Sequence, residues 1–159
     1  MLGDLTKTDV SIAHISLGTD RAAAYAAYVG SKGATQTLTR ILVINFNAYN
    51  TTVDGAGLDP VANAPSRPNS TFSFDVGAAA KGASLQVQRL WANGSDAITG
   101  ITWDGWSYNY ELDHGRPVRL ANVTVGETAV VGADGKVSVV VPDSSAVLLS
   151  LVKPSVLYR

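Results

Sequence analysis

The chain has 159 residues, no cysteine, and 12 Lys and Arg against 13 Asp and Glu, with 16% of its residues charged and 46% hydrophobic. That length suits one domain with a buried core but falls short of a complete (β/α)8 barrel, which needs about 250 residues. The missing cysteines exclude disulfide frameworks, thiolate catalysis and zinc ribbons. A net charge of −1 makes no case for nucleic acid, the apolar content argues against disorder, and no segment reaches the roughly 18 apolar residues of a membrane span.

Met1-Leu2-Gly3-Asp4 lacks the basic stretch and apolar core of a signal peptide. Yet Asn50, Asn69, Asn93 and Asn122 each open an N-x-S/T acceptor sequence, which matters only in a chain that passes through a secretory pathway. Four such sites point to an extracellular protein, so Met1 is expected not to be the start of the biological chain. Tyr28-Val29-Gly30-Ser31-Lys32 matches the Tyr-x-x-x-Lys spacing of short-chain dehydrogenases, with Ser16 upstream. On a helix Lys32 would lie on the Tyr28 face and lower the phenol's pKa, and residues 22–27 are Ala-rich. No glycine-rich dinucleotide fingerprint precedes it, however. A β-hairpin with Gly30-Ser31-Lys32-Gly33 at its tip is the preferred reading over a truncated dehydrogenase.

Ile41-Leu42-Val43-Ile44 is apolar on both faces and is expected to be a central strand covered on both sides. Residues 50–68 carry Gly55, Gly57, Pro60, Pro65 and Pro68, which predict an irregular loop, functional or mobile. From Thr71 the period is two. Phe72, Phe74 and Val76 alternate with Thr71, Ser73 and Asp75 as in a strand with one buried face. Leu85 and Val87 continue the pattern, and the phase slips at Arg89-Leu90, which predicts a bulge. Val123, Val125, Ala129 and Val131 alternate around an interruption at Glu127. Asp134-Gly135 then signals a hairpin leading into Val137, Val139 and Val141. Ala146-Val147-Leu148-Leu149 predicts a second central strand. The fold expected is all-β, an antiparallel sandwich of about eight strands of Greek-key type, in one domain spanning 1–159.

Trp91, Trp103, Trp106, Tyr108 and Tyr110 form the main candidate site. Aromatic faces stack on sugar C–H faces, and Trp106, Tyr108 and Tyr110 share parity, so an extended segment would present them as one platform for carbohydrate. Packing in the core or at a domain interface is the preferred alternative. Asp104, Glu111 and Asp113 lie near His114, but Glu111-Leu112-Asp113-His114-Gly115-Arg116-Pro117 reads as a loop whose carboxylates are solvated. A retaining glycosidase needs two carboxyls about 5–5.5 Å apart, one with a raised pKa. No catalytic role is assigned to these residues. With only His14 and His114 there is no paired metal-ligand spacing, so no metal or cofactor is expected either.

Four stretches, in order, carry a family resemblance. They are Tyr25-Ala26-Ala27-Tyr28 with Arg40-Ile41-Leu42-Val43-Ile44-Asn45-Phe46-Asn47, then Ser66-Arg67-Pro68-Asn69-Ser70-Thr71. Gln88-Arg89-Leu90-Trp91-Ala92 with Ile101-Thr102-Trp103-Asp104-Gly105 follows, and residues 137–141 with 145–151 close the set. Over about 22–152 the chain resembles the carboxy-terminal β-domain of glycoside hydrolase family 79, the β-glucuronidase and heparanase-like enzymes, in its secreted fungal texture. The resemblance implies an accessory sandwich packed on a (β/α)8 barrel that holds both catalytic glutamates. It therefore implies no turnover by this chain alone, within a glycosidase acting on glucuronide-bearing polysaccharide. It further implies that one strand comes from the segment before the barrel, leaving an unpaired sheet edge. The loop at 50–68 and an insertion at 31–37 depart from the family's compact form. A free-standing carbohydrate-binding module built on the aromatic cluster is the competing reading.

Overall fold

Eleven β-strands and one helical turn organise the described residues, 9–30 and 35–151, of the computed structural model. In chain order they are β1 (Asp9–Ile15), β2 (Ala22–Gly30), β3 (Thr37–Asn45), β4 (Asn69–Asp75), β5 (Ser84–Trp91), β6 (Thr102–Trp103), β7 (Trp106–Ser107), α1 (Tyr110–Asp113), β8 (Val118–Arg119), β9 (Glu127–Val130), β10 (Lys136–Pro142) and β11 (Ser145–Leu151). Eight of these strands have four residues or more, and β6, β7 and β8 have two each. Pairing is antiparallel throughout. The large sheet runs β1-β2-β3-β11-β5-β6-β7-β8, with β9 beside the first half of β5, and β4 pairs β10 in a small second sheet. Residues 1–4 and 31–34, where the amino-terminal and hairpin-tip expectations fall, lie outside the described residues.

The core fills the space between the two sheets. Ile41, Val43, Leu85, Val87, Val147 and Leu149 point inward from the large sheet, and Phe74, Val137, Val139 and Val141 meet them from the small one. Each fully buried aliphatic side chain contributes about 1.5–3 kcal/mol by leaving water. The period-two reading of β4 and β10 therefore marks a real buried face. The two doubly apolar runs do become the central strands, β3 and β11, which pair with each other. Cover on both sides, however, is not what they receive. Leu42, Ile44 and Leu148 on the outer face are only half-buried.

Several local expectations need correction. The bulge at Arg89-Leu90 is absent, because β5 keeps one register against β11 from Leu85 to Leu90; the irregularity lies instead between Ala27 and Tyr28. Arg89 stays in the core-facing phase. Its guanidinium grips both Glu127 carboxylate oxygens at 2.7 Å and donates to the Val140 carbonyl of the opposite sheet at 2.8 Å. The two charged residues that broke the sequence alternation thus neutralise each other across β5 and β9. Val123 and Val125 are not in a strand, because Gly126 turns the chain at φ +76° before β9 begins. Asp134-Gly135 makes a turn, but β9 and β10 enter different sheets, so it is a corner between sheets and not a hairpin. Residues 22–27, whose Ala content favours helix, form β2 as the hairpin reading expects, with Tyr28 opposite Leu38. The strand β1 went unread, although Val10 and Ile12 alternate with Ser11 and Ala13.

The segment 46–68 is irregular apart from a 3-10 turn at Val53–Gly55 and a bridge between Thr52 and Pro60. It is nonetheless tied down. The Asp96 carboxylate accepts the Thr51 N–H at 3.0 Å, the Thr52 N–H at 2.7 Å and the Thr52 hydroxyl. Those donors, the Thr52 hydroxyl foremost, hold the Asp96 carboxyl below the usual carboxylate range against an opposing desolvation. At the other end Arg67 donates to the carbonyls of Asp143, Ala92 and Ser144 at 2.6, 2.7 and 2.8 Å.

Candidate functional site

The five candidate aromatics separate into three environments, because successive residues of a strand point to opposite faces. Asp104 and Gly105 both have positive φ and form a two-residue turn between β6 and β7, setting Trp103 directly opposite Trp106. Trp103 in turn lies opposite Leu90, and Trp106 opposite Arg119. A continuous cross-strand row results: Ile44, Ala146, Leu90, Trp103, Trp106 and Arg119, all on the outer face of the large sheet. The Arg119 guanidinium lies 5.5 Å from the Trp106 ring centre. A second row, His14, Tyr25, Leu42, Leu148 and Gln88, runs beside it. A groove of 280 Å³ lined by Ile44, Phe46, Leu90 and Ala146 opens at the loop end of this face.

Trp91 faces the other way. It lies opposite Thr102, and the two line a cavity of 460 Å³ together with Arg89, Asp104, Asn93 and Asn122. The Arg67 guanidinium sits 4.3 Å from the Trp91 ring centre and 5.4 Å from that of Tyr49, so one face of the indole is already occupied. Thr102 is buried, and its hydroxyl has no hydrogen-bond partner.

Tyr108 and Tyr110 occupy the third environment, a surface loop. The extended platform expected for Trp106, Tyr108 and Tyr110 does not form, because the chain leaves β7 after Ser107 and coils into α1 at Tyr110. Core packing does not describe the cluster either. Trp91, Trp106, Tyr108 and Tyr110 are exposed and Trp103 is half-buried.

Of the acidic group, Glu111 and Asp113 belong to that helical turn and not to a plain loop, whereas Asp104 lies apart from them in the turn between β6 and β7. Glu111 accepts from the Asn109 side chain at 2.9 Å, and hydrogen bonds from Asn109, its own backbone and Thr99 push its carboxyl down. A general acid needs the reverse shift. His114 closes α1 in a left-handed conformation with its ring against Tyr110, while His14 packs on Tyr25 in β2. Among the described residues no group of three or more His, Cys, Asp or Glu side chains could hold a metal, and no helix is long and apolar enough to cross a membrane. Lys32 lies outside the described residues. Tyr28 sits on a strand and not on a helix, so the shared helical face that the dehydrogenase reading required does not exist.

The four sequon asparagines are all exposed. Asn69 begins β4 in phase with Thr71, Ser73 and Asp75 on the outer face of the small sheet. Asn93 and Asn122 flank the Trp91 cavity. Asn50 lies in the long loop.

Sequence reasoning missed Arg67, Asp96 and the outer-face rows. Arg67 gave no periodic signal because it acts on three carbonyls far along the chain. The rows were hinted at by the second apolar face of β3 and β11.

The family model described as the glycosyl hydrolase family 79 C-terminal beta domain matches residues 24–148. A β-glucuronidase of Aspergillus niger is 50% identical over 143 residues, covering 90% of this chain, and one of Neurospora crassa is 49% identical over 146 residues. In both, the matched part is 25% of the relative, so the chain spans a quarter of their length. A 4-O-α-L-rhamnosyl-β-D-glucuronidase from Fusarium oxysporum has the same fold over 88% of this chain and 26% of its own, with a TM-score of 0.60 at 23% identity. The chain belongs to glycosyl hydrolase family 79, as its C-terminal β domain.

Proposed function

We propose that this chain serves as the non-catalytic accessory domain of a secreted, N-glycosylated β-glucuronidase-type glycosidase, joined to a (β/α)8 barrel that performs the chemistry on glucuronide-bearing glycans. The observation that carries this reading is the extent of the match: two fungal β-glucuronidases align with the chain at about half identity, yet only over a quarter of their length. The remaining length is room for a catalytic domain. The carboxylates of the α1 turn are exposed, and Glu111 is held ionised, which suits a solvated surface better than acid–base work. Both outer edges of the β4–β10 sheet are unpaired among the described residues, leaving a position where a strand from the preceding part of a longer chain can add.

The reading has two direct tests. Purified chain incubated with 4-nitrophenyl β-D-glucuronide should release no nitrophenol, and turnover by the chain alone would overturn the accessory role. Expressed behind a fungal secretion signal, the chain should lose mass on endoglycosidase treatment. An unchanged mass would remove the glycoprotein part of the proposal.

A further inference from the structure

Two of the four acceptor asparagines, Asn93 and Asn122, line the 460 Å³ cavity to which Trp91 and Thr102 contribute from neighbouring strands. That volume falls within the roughly 300–1,000 Å³ of a small-ligand site. Trp91 supplies it with a flat apolar surface held rigid from behind. The Arg67 guanidinium lies 4.3 Å from the ring centre and is itself fixed on the carbonyls of Ala92, Asp143 and Ser144. The other face of the indole is left to a ligand. Thr102 is 2% exposed, and its hydroxyl has no hydrogen-bond partner among the described residues, an arrangement that buried polar groups avoid. The Asp104 carboxylate, also in the wall, has one long side-chain contact, the Gln88 amide at 3.5 Å. An apolar plate ringed by a free hydroxyl and a free acceptor suits a pyranose, whose C–H face stacks while its polar substituents hydrogen-bond.

Charge narrows the choice of sugar. Arg89 is the only cation lining the cavity, and its donors are taken by Glu127 and Val140. The remaining charge is that of Asp104, so an anionic sugar finds no free counter-ion there, whereas a neutral N-acetylhexosamine needs none. The tether narrows the source. Asn93 follows Trp91 by two positions at the end of β5, and alternate positions of an extended chain share a face. Ser95, the hydroxyl residue of this sequon, accepts the Tyr49 N–H at 3.1 Å and donates to the Tyr49 carbonyl at 3.2 Å, which anchors Asn93 at the cavity. Asn122 comes to the same cavity from the turn after β8.

We infer that the cavity seats the first N-acetylglucosamine of the chain's own glycan at Asn93, stacked on the free face of Trp91 and hydrogen-bonded to the Thr102 hydroxyl. This rests on the N-glycosylated reading above. The linkage forms when Asn93 Nδ2 gives up one proton and bonds the anomeric carbon of a lipid-diphosphate-linked oligosaccharide, whose lipid diphosphate leaves. The seated sugar then covers the indole and becomes part of the folded domain.

The test expresses the chain behind a fungal secretion signal and trims its glycans with endoglycosidase H to one N-acetylglucosamine per site. Site occupancy is read by glycopeptide mass spectrometry, and the sugar protons by NMR. Resonances of the Asn93 sugar, assigned by their loss in Asn93→Gln, should lie upfield of their position in urea and lose that shift in Trp91→Leu. Nuclear Overhauser contacts between indole and sugar protons make the same distinction in the unsubstituted chain. Thr102→Val should lower the melting temperature of the glycosylated chain but not that of Asn93→Gln. An occupied Asn93 whose sugar resonances are the same folded and in urea would overturn the inference, as would an upfield shift confined to the Asn122 sugar. If Asn93 carries no sugar while other sequons do, the inference fails and the glycoprotein reading stands; if no sequon is occupied, both fail. Glucuronic acid titrated into Asn93→Gln should leave the indole resonances unmoved, and a saturable shift would make the cavity a site for that acidic sugar instead.

Discussion

Arg67 shows how one side chain can close a loop of this size. It donates to the carbonyls of Ala92, Asp143 and Ser144 while packed between the rings of Tyr49 and Trp91. Burial lowers its pKa, and the charges of Tyr49 and Asp143 oppose that shift. Arg67→Ala leaves three acceptors without a charged partner and should cost about 2 kcal/mol in urea unfolding. Arg67→Lys should restore less than half, since an ammonium cannot reach three carbonyls as a fork does. Equal stability of the Lys variant and the unsubstituted chain would show that only charge matters. Asp96 at the other end of the loop adds a pH dependence. Its folded pKa is depressed, so its contribution is fully present above the unfolded carboxylate value of about 3.9 and is lost as pH falls through the folded value. The melting temperatures of the unsubstituted chain and Asp96→Asn should therefore differ at pH 7 and converge toward pH 2. A constant gap across that range would refute the assignment.

Among the elements, β11 holds the molecule together because it lies between β3 and β5 at the centre of the large sheet. Its two faces have unequal duties. Leu149 is fully buried against the small sheet, whereas its neighbour Leu148 faces outward and is half-buried. Leu149→Ala should destabilise the isolated chain by about 3 kcal/mol through lost burial and a residual cavity. Leu148→Ala should cost about 1 kcal/mol or less in the same chemical denaturation. Similar losses for both would mean that the outer face is already covered in the isolated chain. The corner at Asp134-Gly135 illustrates a different constraint on elements. Gly135 has φ +76°, and a Cβ there would come within 2.7 Å of the Gly77 backbone, so the turn that carries the chain from one sheet to the other requires glycine.

For the whole molecule, an exposed apolar sheet face and a nearly neutral charge act together. With a net charge of −1 and a pI near 6.0, little electrostatic repulsion opposes contact between outer faces of separate copies. Sedimentation velocity of the isolated chain should show association that strengthens toward pH 6 and is reduced by Leu90→Glu. Association indifferent to both pH and that substitution would place the contact elsewhere. The same surface explains which expectations survived folding. Inward residues such as Val139 and Leu149 were legible because burial on one face imposes a period of two on the sequence. Arg89 and Glu127 were illegible as a pair, since each breaks the pattern alone and only the register of β5 against β9 brings them together.

Composition and alternation thus determined an all-β chain with β3 and β11 at its centre, and the ordered motifs carried the resemblance to family 79. Hydrophobic periodicity reports whether a side chain is buried, and that is set locally along a strand. Which face meets which partner depends on strand pairing between distant segments, and only the tertiary structure decided it. The two-residue turn at Asp104-Gly105 sends Trp103 and Trp106 to the outer face while Trp91 turns inward under Arg67. Three tryptophans that looked like one cluster in the sequence therefore serve two surfaces, because parity on paired strands, and not proximity in the chain, fixes the direction of a side chain.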